Sequence, residues 1–263
     1  MKEQDLLSVQ QIHLAQEFVD SQVERAVRAF HLEAISPATS PFETWFSTPS
    51  LDAESLSHFE LTETRFSHLT QSLPLPQKAP LRVGRQSSLI QGTPHHTVNS
   101  DTLCAIVQNA FGADTQRRRP YPSGGALYTV ECLVITGPYV TGLKPLSVLH
   151  YLPVSHAFEL LQESLILKEY EGITDLSGVS FYLLYCINLK KSIFKYRYRG
   201  YRLSILEAGS MYQQALLEAE HFGLSSRVIA GFSEGSMAHL CGINASLMLP
   251  TIIQAFGLEQ RDP

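Results

Sequence analysis

Hydrophobic and polar positions alternate with a helical period in three long segments of the chain. The predicted helices span residues 6–32, 100–111 and 203–222. Ser100 or Asp101 is expected to cap the second helix, because a short polar side chain there can accept from the free N–H groups of the first turn. Gly223 follows the third helix and is typical of a helix stop.

Continuous apolar runs rich in β-branched and aromatic residues predict strands. These runs span residues 129–136, 148–152, 179–189, 227–232 and 250–256. Shorter helical patterns lie between them, at 156–165 and 234–240. Helices and strands therefore mix without a regular βαβ alternation, which indicates an α+β fold.

A proline-rich stretch at residues 73–80 (LPLPQKAP) favours an extended linker. Upstream of it, a loop pattern covers residues 36–50 and a weak helical pattern covers 51–66. We therefore expect an N-terminal extension at 1–78, which is a candidate segment for docking a partner. Residues 79–263 would form the catalytic domain.

The composition is that of a globular chain with few charges. Hydrophobic residues make up 44% and charged residues 17% of the sequence, against roughly 25% charged residues in typical soluble domains. Either a partner covers part of the surface or the chain has one large core. The net charge of −5 and the pI of about 6.1 argue against nucleic-acid binding, while local clusters of Arg and Lys suit a small anion such as a phosphate.

Cofactor and metal motifs of the common kinds are absent from the sequence. The four cysteines are far apart, so neither a CxxC motif nor zinc-ligand spacing occurs. No G-x-G-x-x-G follows a strand, and no P-loop or H-E-x-x-H motif is found. We expect no metal, no signal peptide and no membrane span, and the free cysteines fit a reducing cytoplasm.

The loop RRRPYPSGGALY, residues 117–128, combines three arginines with two prolines and two adjacent glycines. Ser123, Gly124 and Gly125 leave backbone N–H groups open, which suits the close approach of an anion or an electron-rich ring. An ordinary Pro/Gly turn explains the same residues, so both interpretations remain.

Three further stretches carry candidate chemistry. RQSS at residues 85–88 fits a phosphate or ribityl clamp or a surface loop. KYRYRGYR at 195–202 fits a nucleic-acid strip, a two-faced strand or extended loop, or a site where neighbouring cations favour a neutral, basic Lys195. The small residues around Gly209 fit either a core helix or a surface that a flat ring approaches.

In their order along the chain, these stretches resemble the SagB/McbC-type dehydrogenases, a group within the nitroreductase-like flavoproteins. The resemblance covers residues 82–257, and its most specific parts are PSGGALY and the pairing of FKYRYRGYR with GSMYQ. It implies a nitroreductase-like, FMN-binding α+β sandwich with an N-terminal helical extension. FMN would lie near a homodimer interface built partly by the helix around Gly209.

The resemblance also implies a reaction and partners. The enzyme would be an oxidoreductase that converts thiazoline and oxazoline rings of a ribosomally made precursor peptide to thiazoles and oxazoles, as in microcin biosynthesis. It would act beside the cyclodehydratase subunits of a heterocycle synthetase. The rival functions are a free-standing NAD(P)H-dependent nitroreductase or flavin reductase, and a non-catalytic FMN-binding scaffold subunit.

Site residues follow from the same resemblance, position by position. Lys195 and Tyr196 match the acid/base pair of the family, with Tyr196 as a relay or orienting group. The expected FMN contacts are Arg85, Ser87, Pro122, Ser123, Gly124 and Gly231.

The chain departs from the family pattern at three places. Thr129 replaces a usual proline and Leu89 replaces a frequent second arginine. The C-terminal GLEQRDP carries no convincing phosphate ligand, which makes Arg119, Arg199 and Arg202 candidates for that role.

Overall fold

The computed structural model describes residues 19–33, 97–163, 165 and 179–258. Within these ranges the helices are α1 (Ser21–Glu33), α2 (Ser100–Phe111), α3 (Leu189–Tyr196), α4 (Tyr198–His221) and α5 (Glu234–Leu240). The strands are β1 (Val98–Asn99), β2 (Val130–Thr136), β3 (Val140–Thr141), β4 (Val148–Leu152), β5 (Ala157–Gln162), β6 (Val179–Asn188), β7 (Leu224–Ile229) and β8 (Met248–Leu258). The loop, weak helix and linker predicted between residues 36 and 80 lie outside the described residues, as do Arg85 and Ser87.

The chain divides into two compact units, residues 1–39 together with 87–263, and residues 40–86. All of the described residues belong to the first unit. Within that unit, α1 packs on the core through Val23 and Val27. The boundary between residues 78 and 79 stays a prediction.

Strand β6 lies at the centre of a six-stranded sheet with the order β5-β4-β2-β6-β8-β7. Every pairing in this sheet is antiparallel, with Leu183 of β6 opposite Val134 of β2 and Leu184 opposite Ile253 of β8. Strands β1 and β3 form a separate parallel pair. An antiparallel sheet with helices packed on it is the α+β architecture that the sequence predicts.

Both faces of β6 are buried, because alternate side chains of a strand point to opposite sides of the sheet. Leu183, Tyr185 and Ile187 pack with residues of α2 and α4 in one hydrophobic cluster. Leu184 and Cys186 pack with residues of α5 in a second cluster. The continuous apolar run of the sequence therefore reflects a central strand covered on both sides.

The helix predicted at residues 156–165 is wrong, because this segment contains strand β5. Strand β5 pairs with β4, with Phe158 opposite Tyr151 and the two rings 5.5 Å apart. His156 has φ 50° in the turn between the strands. A short apolar run does not distinguish a helix from a strand by itself, and here the pairing with β4 decides.

The strand or extended loop considered for residues 195–202 is also wrong. Helix α3 ends at Tyr196, and α4 begins at Tyr198, five residues before the predicted start at residue 203. The two helices meet at Arg197, which has φ 51° and ψ −132°. Alternating aromatic and basic residues resembled a strand because the break at Arg197 interrupts the helical period.

Three smaller differences concern helix and strand ends. Asn99 caps α2 in place of Ser100 or Asp101, and its Oδ1 accepts from the Thr102 N–H at 2.8 Å. Strands β7 and β8 each begin before the predicted residue, at Leu224 and Met248.

In the part of the chain described here, no helix is both long enough and apolar enough to cross a bilayer.

Candidate active site

The glycine loop, defined here as residues 122–128, forms a 3-10 turn over Gly124–Ala126 before β2. Gly125 has φ 66°, and a Cβ built on it would collide with the Tyr196 hydroxyl. A Cβ on Gly124 would lie 2.7 Å from Leu203 Cδ1 of α4. Both glycines are therefore closely packed, Gly124 on Leu203 and Gly125 on the Tyr196 hydroxyl, which lies directly against the loop.

The hydroxyl of Ser123 is used within the protein. It donates to Glu207 Oε2 at 2.5 Å and accepts from the Tyr128 N–H at 2.8 Å. A hydroxyl has only one proton to donate, so Ser123 would offer a bound ligand its backbone groups. Pro122 and Gly125 are exposed, whereas Ser123 and Gly124 are partly buried.

Glu207 is the buried carboxylate that holds the glycine loop to α4, and sequence reasoning gave it no role. It is 2% exposed, and its Oε1 accepts from the Val130 N–H at 3.1 Å. The Thr129 hydroxyl lies 3.3 Å from its Oε2. Buried carboxylates need such donors, because their desolvation is otherwise costly. A charged residue beside the buried positions Ala208 and Met211 of the same helix was the signal available in the sequence.

Lys195 and Tyr196 form the last turn of α3. Lys195 is exposed and Tyr196 is partly buried, with Lys195 Nζ 5.2 Å from the centroid of the Tyr196 ring. This distance allows a cation–π contact. The next residue, Arg197, directs a guanidinium nitrogen to Asp20 Oδ2 at 2.8 Å. Arg197, one of the three arginines that follow Lys195 in KYRYRGYR, is therefore paired with a carboxylate at the start of α1.

A second polar cluster lies where β2, β4 and α3 meet, and the sequence did not reveal it. Glu131 Oε1 lies 3.5 Å from Lys191 Nζ, and Glu131 Oε2 lies 3.6 Å from His150 Nε2. His150 Nδ1 is 2.9 Å from Glu159 Oε2. Burial alone would raise the pKa of Glu131, but His150 and Lys191 hold it below its ordinary value. The two glutamates raise the pKa of His150 despite its burial.

Arg119 contacts the glycine loop and the residue that precedes it. One of its guanidinium nitrogens donates to the Tyr121 hydroxyl at 2.8 Å, and its guanidinium carbon lies 4.4 Å from the centroid of the Tyr128 ring. This engagement makes Arg119 a structural element of the loop. Arg199 and Arg202, which the sequence also offers as phosphate ligands, are exposed in the first two turns of α4.

Gly231 lies in the turn between β7 and α5, whereas Lys195 and Tyr196 lie where α3 and α4 meet. His31 of α1 lies between the helices that follow these two regions, α4 and α5. His31 Nδ1 is 2.8 Å from the Tyr201 hydroxyl of α4, and His31 Nε2 is 3.7 Å from Glu234 Oε2 of α5. Burial lowers the pKa of His31 and raises the pKa of Glu234 to about 7. Both groups are therefore favoured in their neutral forms inside the protein.

No cluster of His, Cys, Asp and Glu in the described ranges could hold a metal ion. Of the predicted site residues, the structure brings Tyr196 to the glycine loop, which contains Pro122, Ser123 and Gly124. Arg85 and Ser87 lie outside the described residues. The roles of all eight residues stay predictions.

Comparison with known proteins agrees with this architecture. The sequence profile of the nitroreductase family matches residues 94–258. The microcin B17-processing protein McbC of Escherichia coli is 31% identical over 253 residues, which cover 91% of this chain and 92% of McbC. The chain therefore belongs to the nitroreductase family and is an oxidoreductase, and the resemblance to the McbC type is confirmed.

Two further relatives are informative. The structure of the E. coli microcin synthetase McbBCD complex with truncated pro-MccB17 bound contains a chain that is 28% identical and matches with a TM-score of 0.81. The match covers 95% of this chain and 98% of that chain. The trifolitoxin-processing protein TfxB of Rhizobium leguminosarum bv. trifolii is 26% identical over 85% of this chain and 55% of TfxB.

Proposed function

We propose that this chain is an FMN-dependent dehydrogenase that oxidises thiazoline and oxazoline rings of a ribosomally made precursor peptide to thiazoles and oxazoles. It acts as a subunit of a heterocycle synthetase, beside cyclodehydratase subunits. The observation that carries the proposal is the Tyr196 hydroxyl against Gly125, in a chain that is similar to McbC over nearly the whole length of both proteins.

The glycine loop fits a flat cofactor ring. Gly125 is exposed, and its backbone can approach a ligand closely because it carries no side chain. Pro122, Ser123, Gly124 and Gly231 would contact the ring system through backbone and short side chains. Arg85 and Ser87 would hold the phosphate or ribityl group. FMN supplies the capacity to accept a hydride.

Aromatisation of an azoline ring removes one proton from the former Cα and one hydride from Cβ. The Cα proton passes to the pair formed by Lys195 and Tyr196. Lys195, at the exposed end of α3, exchanges this proton with solvent, while the Tyr196 hydroxyl, held against the glycine loop, orients the ring. Glu207 does not reach the substrate, because its oxygens are occupied by Ser123 and Val130.

The test uses the full-length protein together with the cyclodehydratase subunits of its own synthetase and a synthetic peptide that contains one thiazoline ring. We expect the purified protein to absorb in the flavin bands. The peptide should lose two hydrogen masses with the wild-type protein. Lys195→Ala and Tyr196→Phe should keep the flavin and lose the mass change.

Three outcomes would contradict the proposal. A colourless protein that takes up no FMN would exclude the cofactor. Full azole formation by both variants would exclude the pair as the acid/base machinery. Steady NAD(P)H oxidation with quinones or nitroaromatics, without any azole formation in the assembled complex, would instead identify a free-standing nitroreductase.

A further inference from the structure

A buried chain of hydroxyl groups runs beneath the glycine loop to the helix that carries Lys195 and Tyr196. The Ser204 hydroxyl of α4 lies 2.7 Å from the Thr129 hydroxyl and 2.8 Å from the Ser192 hydroxyl of α3. It also lies 3.1 Å from the Gly200 carbonyl oxygen. Thr129, Ser192 and Ser204 are all buried.

At its other end, this hydroxyl chain joins the carboxylate that holds the loop. The Thr129 hydroxyl lies 3.3 Å from Glu207 Oε2, which also accepts from Ser123 at 2.5 Å. A continuous polar path therefore leads from Ser123 in the glycine loop to Ser192 in α3. Buried polar groups linked in this way hold one another in place, because each would lose its partner if a neighbour moved.

The junction of α3 and α4 is closely packed where Ser204 bridges it. A Cβ on Gly200 would collide with the Ser192 carbonyl oxygen. The Arg197 N–H donates to the Ile193 carbonyl at 2.8 Å, and the Gly200 N–H donates to the Arg197 carbonyl at 2.9 Å. Arg197 itself has φ 51°, a region that L-residues adopt only when the surroundings impose it. The hydroxyl bridge from Ser204 to Ser192 is one of those constraints.

The two ends of this path carry the two groups that meet in the site. Gly125 lies two residues after Ser123, and Tyr196 lies one helical turn after Ser192. We propose that Ser204 is a positioning residue that sets the position of the Tyr196 hydroxyl relative to the glycine loop. It does so through Ser192 on one side and through Thr129 and Glu207 on the other. This inference rests on the proposed function and deepens it.

Strand β7 offers a matched control. The Ser225 hydroxyl is partly buried and donates to the Gly257 carbonyl of β8 at 3.4 Å. Ser204→Ala and Ser225→Ala therefore delete the same kind of hydroxyl, and only the first deletion breaks the path. Both variants are made in the full-length protein and compared with the wild type in the assembled complex.

We expect Ser204→Ala to lower kcat per bound flavin about tenfold on the thiazoline peptide, since small misplacements of reacting groups are costly. KM and flavin content should stay unchanged. Amide hydrogen exchange, which does not depend on turnover, should increase in residues 123–130 and 189–203. Ser225→Ala should match the wild type in every measurement.

Identical exchange and kcat in Ser204→Ala and Ser225→Ala would overturn the inference. A loss explained entirely by a lower flavin content or a lower fraction of folded protein would overturn it as well. If Ser204→Ala does not fold, Ser192→Ala decides by the same measurements, because it keeps the contact between Ser204 and Thr129.

The two sets of variants separate the positioning role from the proposed function. Lost azole formation in Lys195→Ala and Tyr196→Phe, combined with a normal Ser204→Ala, would leave the proposed function standing and remove only the positioning role. Full activity of Lys195→Ala and Tyr196→Phe would remove the proposed function, whatever Ser204→Ala does.

Discussion

The hydroxyl of Tyr196 lies directly against Gly125, where even a methyl group would collide with it. Tyr196 ends helix α3, and Gly125 belongs to the turn that enters strand β2, some 70 residues earlier in the chain. The contact therefore joins the two motifs that were most specific in the sequence. Motifs that are separate in the sequence therefore lie next to each other in the folded protein.

Gly125→Ala should destabilise the protein for two reasons. The positive φ costs a residue with a Cβ about 1–2 kcal/mol, and the new methyl group displaces the Tyr196 hydroxyl. Azole formation should be lost together with the proper position of Tyr196. Urea unfolding and the mass of the product peptide measure the two effects.

Gly223→Ala is the matched control, since Gly223 has φ 70° and no described residue lies within 4 Å of the position its Cβ would take. It should show the backbone cost alone. The Phe ring in Gly125→Ala/Tyr196→Phe lacks the colliding oxygen, so the double variant should regain part of the stability but none of the activity. Equal unfolding free energies for the two glycine variants would argue against the collision.

Glu207→Ala should be one of the most destabilising single substitutions in α4. It leaves the Val130 N–H and the Ser123 hydroxyl without an acceptor, at a total cost of roughly 2–5 kcal/mol. Glu207→Gln should lose less, because its amide oxygen still accepts from Val130 and its amide nitrogen can donate to Ser123. Chemical denaturation followed by circular dichroism gives this order.

Glu218 provides the comparison on the same helix, where, among the residues that the structure describes, its carboxylate accepts only from Gln214 Nε2 at 3.1 Å. Glu218→Ala should change the unfolding free energy by no more than about 0.5 kcal/mol. A loss in Glu207→Ala as small as that of Glu218→Ala would mean that the loop does not depend on this carboxylate.

Local patterns predicted much of the fold, and long-range contacts account for what they missed. The β6 run and the helical period of α2 were sufficient because each element is defined by its own residues. The strand β5 was missed because its partner β4, and not its own sequence, makes it a strand. The start of α4 was missed because the break at Arg197 depends on packing between Gly200 and Ser192.

The candidate site was likewise predicted only in part. The glycine loop and the pair formed by Lys195 and Tyr196 were predicted, because their residue types are distinctive within a few positions. The role of Glu207 was not predicted, since its partners Ser123 and Val130 lie 84 and 77 residues away in the chain. An acidic residue in a helix is ordinary until its burial is known.

Asn99→Ala tests the corrected start of α2. The Asn99 side chain accepts from the Thr102 N–H, so its removal should cost about 1 kcal/mol. Asn99→Asp should be close to neutral, because it keeps an acceptor at the cap. Ser100→Ala serves as the control and should have little effect on the melting temperature. The opposite ranking would assign the cap to Ser100.

Glu234→Gln tests the group of buried polar side chains formed by His31 of α1, Tyr201 of α4 and Glu234 of α5. Burial raises the pKa of Glu234 from 4.5 to about 7 in the folded protein. A raised pKa means that the folded state keeps a proton which the unfolded chain has lost, so this group's contribution to stability is complete below pH ~4.5 and is lost as the pH rises to about 7. Glutamine cannot ionise and should escape this loss. The stability of Glu234→Gln relative to the wild type should therefore increase across that window, by on the order of 1–2 kcal/mol after allowance for solvent screening.

His31 acts in the opposite direction, because burial lowers its pKa below 6.5. Its contribution to the unfolding free energy is recovered as the pH rises towards 6.5. In the wild type alone, this gain would partly cancel the loss caused by Glu234. The difference between Glu234→Gln and the wild type removes the His31 contribution to the extent that both proteins share it. Unfolding free energies at pH 5, 6, 7 and 8 provide the measurement. A difference that is constant over this range would show that Glu234 is already ionised in the folded protein at pH 5, and would contradict the raised pKa.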